Sequence, residues 1–95
     1  MRERDIEHAC VAAAAEQGCR MRKITTPGDR GWPDRELMIS GDPMRFVQVE
    51  FKSPGQWLTA MQTAKVMWLM ENGAEVWIID SIAEFRTRLT KEMAR

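Results

Sequence analysis

An α/β (α+β) fold, a sheet flanked by helices in the order α, β, β, β, α, β, α, is the class predicted by this sequence of 95 residues. Three observations predict it. Small and apolar residues recur at helical spacing near both ends of the chain and after Thr59. Period-two alternation marks the segments around Leu37 and Val49, and a strongly apolar run, EVWIID (75–80), follows the middle helix. With 44% hydrophobic residues, a chain of this length has material for one core, so one domain over residues 1–95 is expected.

The first helix is expected from Glu3 to about Gln17, where Ile6, Cys10, Ala13 and Ala14 share a face and Gly18 supplies a stop. CRMRKIT (19–25) alternates weakly and suits a strand, whereas TPGDRGWP (26–33) holds two Pro and two Gly and reads as a loop. DRELMI (34–39) and RFVQVEFK (45–52) read as a hairpin turning through SGDPM. Thr59 with Gln62 forms the T-x-x-Q pattern of a capping box, which starts a second helix that runs to Gly73. After the EVWIID strand, Ser81 with Glu84 repeats the capping pattern. Ile82, Phe85, Leu89 and Met93 then stripe one face of a last helix.

Composition removes several function classes. Fourteen basic residues balance 14 acidic ones, so overall charge argues neither for nor against a nucleic-acid partner. Cys10, Cys19 and the lone His8 cannot assemble a four-ligand zinc site, and the two thiols read as reduced and cytoplasmic. ACVAAAA (9–15) is preceded by Asp5 and Glu7 and followed by Glu16, which argues against a signal peptide. No apolar run approaches the roughly twenty residues that span a membrane.

The hairpin gathers charge as a by-product of burying its apolar residues. Val47, Val49 and Phe51 point one way and Gln48, Glu50 and Lys52 the other; Leu37 and Ile39 leave Asp34, Glu36 and Met38 opposite. If both apolar sets face the core, odd positions pair with odd. Ile39 opposite Val47 and Leu37 opposite Val49 is the expected register. It puts Asp34 beside Lys52 and diagonal to Glu50, close enough for two carboxylates to share a cation. An E-x-K on the solvent face of a strand is commonplace. The alternative is that the carboxylates hold a hard divalent ion, with Lys52 orienting or deprotonating a water, or neutralising charge on a phosphate. Phosphodiester hydrolysis is the reaction such a group suits.

KITTPGDRGWPDRELMI, then FVQVEFKSPG, LTAMQ and GAEVWIID, resembles the virus-type replication-repair nuclease (VRR-NUC) domain of the PD-(D/E)XK nuclease superfamily. Gly31 before Pro33-Asp34, Glu50-Phe51-Lys52, and Gln62 early in the following helix carry the resemblance in order and spacing. It implies a restriction-endonuclease-like αβββαβ core. It also implies Asp34 and Glu50 as metal carboxylates, the Phe51 backbone carbonyl as a further ligand, Lys52 as the catalytic lysine and Gln62 as the residue that positions the lysine or the scissile phosphate. An acid of the first helix is expected to join them. Glu3 and Glu7 lie one turn apart, and Glu7 is preferred because Ile6-Glu7 matches the family's Ile-Glu pair. Trp32 stands where many members carry a smaller apolar residue.

The resemblance implies a Mg2+- or Mn2+-dependent deoxyribonuclease, an endonuclease acting on Holliday-junction or flap-like branched DNA in DNA repair or recombination. A bacterial or phage-infected cytoplasm is its expected location. Arg20, Arg22, Lys23, Arg30 and Arg35, set against Asp29 and Asp34, form a net-positive stretch suited to phosphates. A two-fold symmetric junction needs two active sites, hence a homodimer. Trp57, Met61, Met67, Trp68, Leu69 and Met70 give the second helix more apolar surface than one core-facing stripe uses. Two alternatives stay open: a non-catalytic nucleic-acid-binding or assembly module, and an exonuclease or restriction-type nuclease. The joint presence of Asp34, Glu50, Lys52 and Gln62 argues against the first.

Overall fold

Each periodic segment becomes an element in the computed structural model, which describes residues 1–95. Helix α1 spans Glu3–Glu16, β1 Arg20–Lys23, β2 Arg35–Ile39 and β3 Arg45–Phe51; α2 spans Ala60–Glu71, β4 Val76–Ile79 and α3 Ile82–Met93. The expected order of elements is the observed one. The four strands form one sheet in the order β1-β2-β3-β4, antiparallel through β3 and parallel between β3 and β4. A parallel neighbour requires a crossover, and α2 is that crossover.

Alternation along the strands decides where the core sits. Leu37, Ile39, Val47, Val49, Phe51, Trp77 and Ile79 leave solvent on one sheet face, against Ile6, Cys10, Ala13 and Ala14 of α1 and Phe85 and Leu89 of α3. Burying each large apolar side chain contributes roughly 1.5–3 kcal/mol, so this face dominates the stability of the fold. Both cysteines are free and buried. No helix is long and apolar enough to cross a membrane.

The hairpin register differs from the expected one by two residues. Leu37 pairs with Val47 and Ile39 with Arg45, instead of Val49 and Val47. Alternation fixes only whether odd residues face odd ones; the ladder settles the rest by also pairing Arg45 and Phe46 and shortening the connection to residues 40–44. The slip preserves both faces and changes every partner. Continued one step past Arg35↔Val49, it sets Asp34 across from Glu50 rather than beside Lys52.

Helix α2 starts as the sequence predicts, with a complete capping box. Gln62 N donates to Thr59 Oγ1 at 3.2 Å, and Thr59 N donates to Gln62 Oε1 at 2.9 Å. At Ser81 only half of the box forms, with Glu84 N donating to Ser81 Oγ at 2.9 Å. Gly73 takes a φ of +88° just past α2, a conformation that favours glycine. Only Val66 of α2 is buried, while Trp57, Met61, Met67, Trp68 and Met70 are between 52 and 69% exposed.

Candidate active site

Asp34 enters the site from the residue before β2 and is tied to strands on both sides. Its carbonyl accepts from Ile24 N at 3.0 Å, and its Oδ2 accepts from Phe51 N at 2.8 Å. Glu50 projects from β3 and is fully buried, contrary to the ordinary solvent face of a hairpin. Its Oε2 accepts from the Gln62 side-chain amide at 3.2 Å, whereas its Oε1 is buried with no hydrogen-bond partner. Glu3, from the first turn of α1, completes the group: carboxylate oxygens of Glu3, Asp34 and Glu50 lie within 4.8 Å of one another. Lys52, two residues beyond Glu50, is also buried.

These acids disfavour one another's charge. Burial first, and then the Asp34 carboxylate, pushes Glu50 up to about 8. Burial likewise raises Asp34, although the Phe51 N–H works against it. Burial and then Asp34 raise Glu3. The Lys52 ammonium offsets part of the load on all three. A partly buried cluster, with Glu50 at its closed end carrying an unpaired carboxylate oxygen and with mutually raised acids, has the donor set that a hard divalent cation takes.

The first-helix acid in this cluster is Glu3, and Glu7 lies outside it. Arg35 Nε donates to Glu7 Oε2 at 2.6 Å, with both side chains about one-sixth exposed or less. A helical turn advances about 5.4 Å, enough to move an acid from the Asp34–Glu50 pair to the next strand residue. The signal was present in the sequence: Arg35 is odd-numbered, so alternation turns it toward the face α1 covers.

That pairing also removes Arg35 from the open cationic surface on which the sequence placed it. Arg22 is likewise engaged, its guanidinium 2.8 Å from Glu36. Arg20, Lys23 and Arg30 are exposed and free of ion pairs within the chain. Gln62 fills its expected capping role and contacts an acid where contact with the lysine was expected. Its amide oxygen is committed to Thr59 N, which aims its NH2 group at Glu50 rather than at Lys52. Phe51 buries its ring in the core and spends its N–H on Asp34. The sequence counts Asp29 only as a charge offsetting the basic stretch and does not single out Lys65, yet the two meet at 2.6 Å beside Trp32 although they stand 36 residues apart.

Known proteins agree with this architecture. The chain is 33% identical over 81 residues, 85% of each chain, to the "Putative nuclease p44" of Acyrthosiphon pisum secondary endosymbiont phage 1. A solved "VRR_NUC domain" superposes with a TM-score of 0.76 at 20% identity, over 94% of both chains. A "VRR_NUC domain protein" gives the same TM-score at 13% identity, over 99% of this chain and 89% of the other. No family model matches the chain.

Proposed function

From the chain's place in the VRR-NUC family, to which it belongs, we propose that it is a divalent-metal-dependent DNA endonuclease selective for branched structures. The fold and the nuclease-named relative support a nuclease at the coarser level. One observation carries the metal dependence: Glu50 Oε1 is buried without a partner inside a cluster of three carboxylates. Such an arrangement is costly unless a cation completes it.

In this reading Asp34 and Glu50, with Glu3 and the Phe51 carbonyl, hold Mg2+ or Mn2+. A bound ion of that kind polarises a phosphoryl oxygen and lowers the pKa of water. Asp34 is oriented for the task by Phe51 N, and Glu50 by Gln62. Lys52 presents its ammonium next to the acids, where it compensates charge growing on the phosphate or orients the attacking water. Arg20, Lys23 and Arg30, the cations of the 20–35 stretch that are exposed and unpaired, receive the DNA backbone. The half-exposed Trp and Met side chains of α2 and its approach support a homodimer that brings two such sites to one junction.

The test is a cleavage assay with Mg2+ or Mn2+ on duplex, single-stranded, flap and four-way-junction DNA. Cleavage of branched DNA is expected, with a loss of at least about a hundredfold in Asp34→Ala and Lys52→Ala. No cleavage of any substrate by the parent protein, or cleavage that survives both substitutions, overturns the reading.

A further inference from the structure

The loop that leads into Asp34 is fastened to α2 at two points. The first is backbone on backbone: Gly31, at φ +95°, lies so close to α2 that a Cβ there would sit 2.8 Å from the Met61 carbonyl oxygen. The second is a side-chain cluster. Asp29 uses both carboxylate oxygens, Oδ1 toward Lys65 Nζ at 2.6 Å and Oδ2 accepting from Trp32 Nε1 at 2.7 Å. Lys65 Nζ also lies 4.5 Å from the centre of the Trp32 ring, and Trp32 packs edge-on against Trp68 with ring centres 6.0 Å apart.

An ion pair whose acid is 57% exposed adds little to stability. Its effect is geometric. On the loop side, the fastened Trp32 is separated from Asp34 only by buried Pro33, whose ring fixes its φ. On the helix side, Lys65 stands one turn beyond Gln62, on the same face, and Gln62 holds Glu50. The cluster therefore joins the two segments that deliver Asp34 and the support of Glu50 from opposite sides of the site.

We propose that Lys65, with Asp29 and Trp32, is a clamp that sets the spacing of Asp34 and Glu50, making Lys65 a positioning residue for the cation-binding site. This rests on the nuclease reading above. Lys65 touches none of the three acids of the cluster, so its influence passes through the loop and through α2.

The test measures Mn2+ affinity by calorimetry, and kcat and KM on a branched DNA, for the parent, Lys65→Met, Lys65→Arg and Trp32→Phe, below the melting temperature of each. Lys65→Met is expected to weaken Mn2+ binding and lower kcat about tenfold with KM unchanged. Trp32→Phe, which keeps an aromatic ring and loses the N–H, should show a smaller loss in the same two quantities, and Lys65→Arg should recover most of the parent value. Parent-like Mn2+ affinity and kcat in both Lys65→Met and Trp32→Phe overturn the clamp alone. A raised KM with unchanged kcat also overturns it, by making Lys65 a DNA contact. A parent protein that binds no Mn2+ overturns the nuclease reading and the clamp with it.

Discussion

Burial and the facing Asp34 carboxylate push the Glu50 carboxyl up to about 8, and this residue makes the largest contribution to the pH sensitivity of the metal-free protein. A folded-state value above the usual 4.5 means that the folded chain holds the proton more tightly than the unfolded chain. The associated stability is complete below about pH 4.5 and is lost as pH rises toward 8; Asp34, also raised, acts in the same direction. Urea titrations in EDTA should show stability falling between pH 5 and pH 8. Glu50→Gln should flatten that slope and exceed the parent by about 1–3 kcal/mol at pH 8; parallel profiles for the two proteins would contradict the assignment. Alternation in FVQVEFK told which way Glu50 and Lys52 point. It did not tell that Gln62 of α2 reaches Glu50, because that contact depends on a helix that begins ten residues after Glu50. Glu3 and Glu7 were indistinguishable by helical spacing, and the choice followed from which strand residue each turn of α1 overlies.

At the scale of elements, the boundaries were legible because local chemistry sets them. Thr59 and Gln62 start α2 through a reciprocal pair of hydrogen bonds, and the apolar alternation of Leu37, Ile39, Val47 and Val49 chose the buried face of the hairpin. Register was beyond reach, since a slip of two residues leaves that face untouched. It nevertheless decided the site, by placing Asp34 opposite Glu50. The contact between the 26–32 loop and α2 was equally hidden, because Asp29 and Lys65 are distant in sequence and neither belongs to a motif. That contact has a measurable weight. Gly31→Ala adds a Cβ 2.8 Å from a backbone oxygen at a positive φ and should cost about 1–3 kcal/mol in urea unfolding. A change below about 0.5 kcal/mol would show that the loop moves away freely.

Across the whole molecule, the sheet has one face sealed by α1 and α3 and another that α2 covers around Glu50. The outer side of α2 carries Met61, Met67, Trp68 and Met70, more apolar surface than a helix with one buried side chain, Val66, needs for its own subunit. Met67→Glu places a charge in that patch without touching the carboxylate cluster. Sedimentation should find the parent dimeric and this variant monomeric at equal concentration; a parent that remains monomeric at high micromolar concentration would contradict the dimer. In the proposed function, the polar face of the β2–β3 hairpin is a cation site built from Glu3, Asp34 and Glu50. The most direct measurement is an anomalous difference map from crystals grown with Mn2+. A peak bonded to oxygens of Asp34 and Glu50, with Glu3 adjacent and Glu7 still on Arg35, is the predicted result; a cluster without a peak at saturating Mn2+ would contradict it.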